Sequence, residues 1–416
     1  MSAQDHVAGV TLHASILRLR SILLWVFVCS GAIVLVEPSP YEIMFVLAGG
    51  LFFLTGLRLN ALSAILLLVL LAFNLGGVIG LIPYINERPS VMFVVISIYM
   101  MFNAVFFAAL MGDDTVARFN IIRSGYIAAA WIAGLAGILG YFHVGGLGEL
   151  FTRYNRASGT FKDPNVLGTF LVFPIVCIVQ SLLLRRAGLI KTAILISVPL
   201  LGLFLSFSRG SWGHVVVSLA LLFLLHLLMS RSDSERVRLI SLGILGVATM
   251  VVLLIVALSI EDIRKVFEVR ASLDQSYDVG ATGRFGDQAR SIPMLLSDPN
   301  GFGPYRYHTH FNADPHNVYI NAFASYGWLG GISYFTLIGL TMFLGWRTVF
   351  LRSPFQDQAI AVWSTLFITI LQGFQIDTDH WRHFYLLLGL TWGLAAVAAR
   401  SRARGVLAPA AATGQS

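Results

Sequence analysis

The chain is 416 residues long; 57% of them are hydrophobic and only 12% carry a charge. A soluble domain carries about 25% charged side chains, so this chain has too little polar surface to cover itself in water, and disordered, collagenous and disulfide-scaffold classes are excluded as well. The formal net charge of +7 raises nucleic acid as a partner, but the basic residues are spread over short connections between apolar runs, so membrane topology accounts for them and no nucleic acid is expected.

Met1 to Arg20 is polar and no A-x-A cleavage site follows it, so we read an uncleaved first helix with a cytoplasmic N-terminal stretch over 1–20. Apolar runs long enough to cross a bilayer as helices lie near 21–36, 41–57, 61–83, 91–111, 120–142 and 165–183. Six more lie near 188–206, 211–229, 239–260, 318–345, 357–375 and 384–399. The pattern predicts an all-α, polytopic membrane helical bundle of about 12 transmembrane helices over 21–399, with one long outer loop, 261–315, and a short, disordered cytoplasmic tail, 400–416. Cys29 and Cys177 fall inside apolar runs and act as small hydrophobes.

Orientation follows from Arg and Lys, which collect in cytoplasmic connections. Excluding the long loop, 16 basic residues fall on the side of the termini and 6 on the other, so both termini are predicted cytoplasmic. Three outer segments, 143–164, 261–315 and 376–383, exceed simple turns and are where chemistry can be placed. The long loop holds two amphipathic stretches, Glu261 to Gln275 and Phe285 to Leu296, with Pro293 expected to kink or end the second.

The predicted span centres are nearly free of Asp, Glu, Lys and Arg, which disfavours an ion-coupled carrier. His214 and His226 are the exceptions, read as locally hydrogen-bonded groups rather than a proton relay. Ser206 to Trp212 is a very short connection holding Arg209, whose planar fork suits phosphate oxygens; simple snorkelling to the interface is the equal alternative. Asp314-Pro315 reads as N-cap and first helical residue, which places His316 in the first turn of the next helix, as a neutral base or as a capping-turn residue. The same signature stands at Asp163-Pro164-Asn165. Asp377-Thr378-Asp379 has a spacing used for divalent metal, but with His380, Arg382 and His383 beside it a salt-bridged turn is the stronger reading, and no metal or other cofactor is expected.

Taken in order, Gly159 to Asn165, Ser206 to Trp212, Thr282-Gly283-Arg284, Pro315 to Ile320 and Tyr326 to Gly330 resemble the bacterial O-antigen ligase and polymerase superfamily of polytopic membrane glycan transferases. The resemblance implies transfer of a glycan from a polyprenyl diphosphate carrier to an acceptor hydroxyl at the periplasmic face of the inner membrane, with inversion. By the same resemblance, Arg209 and Arg284 bind the diphosphate and His316 is the catalytic base; apart from it, Asp314, Asn317, Arg153, Arg156, Lys162 and Arg306 are candidate supports, with no motif that names a role for them. Arg290, His308 and His310 have no motif that names a role. The expected partners are the lipid-linked donor, a lipid A core or glycan acceptor, and membrane lipid. A ligase is favoured slightly over a polymerase; a permease or flippase for an anionic cargo is the rival from another class.

Overall fold

The structure, a computed structural model, describes residues 3–271, 280, 283–311 and 313–405. In chain order the elements are α1 (Ala3–Ser30), α2 (Pro40–Leu54), α3 (Ala61–Leu81), α4 (Arg88–Leu110), α5 (Thr115–Tyr141), α6 (Gly148–Phe151), β1 (Thr152–Arg153), β2 (Arg156–Ala157), α7 (Pro164–Phe170) and α8 (Val172–Leu183). They continue with α9 (Leu189–Leu205), α10 (Arg209–Met229), α11 (Asp233–Leu258), α12 (Glu261–Ala271), α13 (Arg284–Ser297), α14 (Val318–Phe350), α15 (Gln356–Gln372) and α16 (Arg382–Ala403). A helix stands at each of the twelve predicted apolar runs, and the chain is a polytopic helical membrane protein. Among the described residues, eight helices are long and apolar enough to cross a bilayer; α2 and α9 are apolar but shorter.

Several boundaries differ from expectation. α1 begins at Ala3 and ends at Ser30, so the polar N-terminal stretch is helical and 31–36 is not. α16 runs past Arg400 to Ala403, so the expected disordered tail begins at least partly as helix; residues 406–416 lie outside the described residues. α13 continues through Pro293 to Ser297. Contacts hold the turn beyond the proline: Leu295 is buried with Phe302, Tyr307, Phe311 and Ala324, and its carbonyl accepts from Trp328 Nε1 at 2.8 Å. The first amphipathic stretch is helical to Ala271, and 272–275 lie outside the described residues.

The connections gather at two ends, as an alternating topology requires. At one end Val34 N donates to Thr160 O (3.1 Å), Arg156 Nε to Ser206 O (2.7 Å), Val318 N to Gly373 O (2.8 Å), and Arg306 pairs with Glu87 (2.6 Å). At the other end Arg186 pairs with Asp357 (2.6 Å), and Arg238 donates to the carbonyls of Leu182 and Leu183 at 2.8 Å each. The first end carries 143–164, 376–383 and the described parts of 261–315, the segments singled out for chemistry, and is called the loop-rich face below.

Close backbone approach holds the bundle together, as expected where lipid supplies no hydrophobic drive between helices. A Cβ on Gly389 in α16 would stand 2.3 Å from Ala104 O of α4. We therefore expect Gly389→Leu to push these helices apart at about 1–3 kcal/mol or more, seen as a lower melting temperature in detergent. Gly50→Ala, where a Cβ meets nothing within 4 Å, should leave the melting temperature near wild type. α14 is interrupted at Gly327 (φ +63°), where the amide of Trp328 donates to Pro299 O (2.9 Å) and a Cβ would lie 2.6 Å from the same carbonyl. That approach explains the Tyr326 to Gly330 pattern: only glycine fits this backbone and this contact.

Within the spans, His214 Nε2 lies 3.1 Å from Thr365 O and His226 Nε2 lies 3.2 Å from Gln180 Nε2. Both have the local hydrogen-bonded character read from the sequence.

Candidate functional site

The geometry builds outward from the connection between α15 and α16. Phe207 takes a left-handed conformation (φ +45°), and Ser208 then caps α10 by accepting from Ser211 N (3.3 Å). The short connection is as expected, but Arg209 stands in the first helical turn rather than between the helices, and it is half-buried. Its neighbour Gly210 packs on the end of α15, where a Cβ would meet Gln372 Nε2 at 2.9 Å. Beneath this turn Arg156 is buried at 7% exposure; its Nη2 donates to Asn165 Oδ1 (2.8 Å) while its Nε holds Ser206 O. Arg156 thus ties α7 to the α9–α10 turn, a positioning contact for Arg209.

Arg284 opens α13 behind Gly283, and its Nη1 reaches Gln375 O at 3.4 Å. Thr282 lies outside the described residues. One turn on, Gln288 Nε2 donates to Pro315 O (2.7 Å), which draws the start of α13 against the residues before α14.

The expected Asp-Pro helix start at 314–315 is corrected. Asn317, not Asp314, caps α14, its side chain accepting from Tyr319 N (3.1 Å) and Ile320 N (3.2 Å). His316 therefore precedes the helix, exposed and left-handed (φ +45°), instead of lying in its first turn. The physical reason lies 60 residues away: the Asp377 carboxylate accepts from His316 N (3.1 Å) and Asn317 N (3.0 Å) and fixes these residues in a conformation that starts the helix later. At Asp163-Pro164 no such competitor is found among the described residues, and Asp163 caps α7 as expected, accepting from Asn165 N at 2.6 Å.

The two aspartates of the 377–379 turn face different partners. Asp379 Oδ2 accepts from Asn321 Nδ2 (3.1 Å) and pairs with His380 Nδ1 (3.2 Å), while Arg382 pairs with Glu42 on α2. The salt-bridged reading of this turn holds for Asp379 and His380, and Arg382 serves another helix. Among the described residues no group of three or more His, Cys, Asp or Glu side chains is placed to hold a metal.

Loss of water raises the Asp377 carboxyl well above the usual carboxylate range, reinforced by Asp379 and Asp314 and opposed by the two amides it accepts. Burial pulls His380 down, but the adjacent, hydrogen-bonded Asp379 and the Phe93 carbonyl outweigh it and raise it above 6.5. Both folded values exceed the unfolded ones, so each group contributes most stability at low pH. The Asp377 contribution declines as pH rises from 3.8, and that of His380 as pH rises from 6.5 through its raised value. The melting-temperature difference between wild type and His380→Gln should accordingly shrink from about pH 6 to pH 8; a difference that does not change with pH would exclude the assignment.

The candidate supports divide. Asn317 and Arg156 join the cluster. Lys162 pairs with Glu37 (2.6 Å) beside the α1–α2 connection, and Arg306 pairs with Glu87 and lies 4.1 Å over the Tyr84 ring, so both serve other contacts. Asp314 is 3.9 Å from His308 Nδ1, and Arg153 is exposed on β1. Arg290 pairs with Asp287, and His310 stacks on Phe302 at 4.2 Å. The anchoring role of Asp377 was not legible in sequence: its only signal was the two-carboxylate spacing, which names no partner near His316.

Residues 192–335, less than half of the chain, match the family model for O-antigen ligase, so this segment is similar to the O-antigen ligase superfamily. The matched segment contains Arg209, Arg284 and His316 and stops short of Asp377. No curated protein matches the chain.

Proposed function

We propose that the segment 21–399 transfers an oligo- or polysaccharide from a polyprenyl diphosphate to an acceptor hydroxyl at the periplasmic face of the inner membrane, with both termini cytoplasmic. The observation that supports it is the meeting of three elements on one short stretch: Gly210, next to Arg209, on Gln372; Arg284 on Gln375 O; and the backbone of His316 on Asp377. In this reading Arg209 and Arg284 grip the diphosphate and neutralise the charge that grows as it leaves. The His316 imidazole takes the acceptor proton as the hydroxyl oxygen bonds to the anomeric carbon and the carbon–diphosphate bond breaks. Attack from the face opposite the leaving group inverts that centre. The protein groups supply the charge and the base for this step, so the reading is metal-independent.

The acceptor is assigned to the lipid A core, with a lipid-linked repeat as the alternative. A deletion strain separates them on a lipopolysaccharide gel: bare core with long carrier-linked chains is the result expected of a ligase, and core carrying a single repeat that of a polymerase. An unchanged glycan pattern would remove both and favour the permease reading.

A further inference from the structure

The second amphipathic stretch folds as α13 with its polar side turned toward the protein and its apolar side turned out. Successive residues are about 100° apart round a helix, which places Asp287, Gln288, Ser291 and Leu295 on one side of α13, and all four are buried. Phe285, Ala289, Ile292 and Leu296 form a stripe about 120° away. All four are exposed, Phe285 at 53%, Ile292 at 48% and Leu296 at 67%. Arg290 and Ser297, also exposed, mark a third direction about 120° from both others. Of the remaining apolar side chains, Pro293 borders the stripe and Met294 borders the Arg290 side. A helix standing clear in water would have two surroundings, protein and solvent. α13 has three distinct faces, the number needed by a helix that lies in a bilayer boundary between protein, hydrocarbon and water.

The depth of α13 follows from α14. Beyond the break at Gly327, the segment from Trp328 to Phe350 rises about 34 Å, enough to cross a hydrocarbon core of about 30 Å. Trp328 therefore stands at the bilayer boundary on the loop-rich face, the level at which Trp rings collect with the apolar body toward lipid and the N–H on a polar partner. That partner is Leu295 O of α13, at 2.8 Å. Just past Trp328, Leu329, Ile332 and Phe335 are exposed on α14, as a lipid-facing surface requires. The last turns of α13 are thus tied to the boundary and do not stand above it. A protein partner is a poor occupant of the stripe. It is one side chain wide and about 16 Å long, far short of the roughly 800 Å² per partner that a stable protein interface needs.

We propose that Phe285, Ala289, Ile292 and Leu296 are seated among the acyl chains of the leaflet on the loop-rich side, so that α13 lies in the plane of the bilayer boundary. The Arg284 guanidinium lies 4.9 Å over the Phe285 ring, and the seat therefore holds Arg284 at the level of the lipid headgroups. The inference goes beyond the glycan-transfer reading and does not rest on it; within that reading it sets the depth at which Arg284 meets a lipid diphosphate.

The test uses the full chain in nanodiscs of dioleoylphosphatidylcholine and dioleoylphosphatidylglycerol, which contain no polyprenyl lipid. In a Cys29→Ala, Cys177→Ala background, nitroxide labels are attached through Phe285→Cys, Ala289→Cys, Ile292→Cys, Leu296→Cys, Arg290→Cys and Ser297→Cys, one at a time. Power-saturation EPR then compares collisions with oxygen, which concentrates in hydrocarbon, and with a water-soluble nickel chelate. Oxygen should dominate at the four stripe positions and nickel at Arg290 and Ser297. The unlabelled wild type gives an independent reading that carries the test if labelled variants do not fold. A phospholipid with a diazirine on its acyl chain should, on illumination, leave adducts on Phe285, Ile292 or Leu296 and none on Arg290 or Ser297. Nickel dominating at the stripe would place it in water, and neither reagent reaching it would place a protein surface, such as a second copy, over it. Either result, or a stripe without acyl adducts, overturns the proposal. Neither readout involves glycan transfer: an inactive protein with a lipid-seated stripe removes the transferase alone, and an active one with its stripe in water removes only the seat.

Discussion

His316→Ala should lower glycan transfer from a lipid-linked donor by about 10²- to 10⁴-fold, the usual contribution of a positioned general base, with the protein still folded. The side chain is exposed, and what fixes this residue is its backbone amide on Asp377, which alanine retains. Turnover should therefore fall while donor binding changes little, because the base acts on the acceptor proton. Asp377→Ala provides the complementary result: the imidazole stays but the two amides of His316 and Asn317 lose their acceptor, so turnover should drop with the catalytic group present. The measurement is single-turnover transfer with purified protein, donor and acceptor. Full activity in His316→Ala would remove the base assignment.

Arg209→Ala and Arg284→Ala should each cost about 10²- to 10³-fold in transfer, the scale on which a single donor to a developing anion is felt. Lysine at either position should restore only part, since it keeps the charge and loses the two-pronged fork. The two arginines start different helices, α10 and α13, yet Gly210, next to Arg209, packs on Gln372, and Arg284 reaches Gln375 O. If they grip one diphosphate, the double alanine variant should fall short of the product of the single losses, because two residues on one ligand do not act independently. Strictly multiplicative losses would place them on separate ligands. Arg306→Ala is the contrast: its guanidinium is committed to Glu87 and Tyr84, and transfer should stay near wild type.

The membrane class and the approximate place of each long apolar helix were legible in sequence, because a bilayer forces every spanning segment to satisfy its own backbone and to show lipid an apolar surface. Those demands act within about 20 residues, so runs such as 91–111 and 211–229 announce themselves without reference to any other part of the chain. The Asp163-Pro164 helix start was legible for the same reason: the cap and the amide it accepts are two residues apart. At Asp314-Pro315 the same local rule failed, since the conformation there is settled by a carboxylate 60 residues on that no local pattern reveals. Arg156 repeats the lesson: its fork joins Ser206, 50 residues away, to Asn165, so its place under the Arg209 turn belongs to packing. Hydropathy and capping are short-range and sit in the order of residues; which loops meet at the end of a bundle depends on how helices pack across the whole chain, and only the tertiary structure decides that.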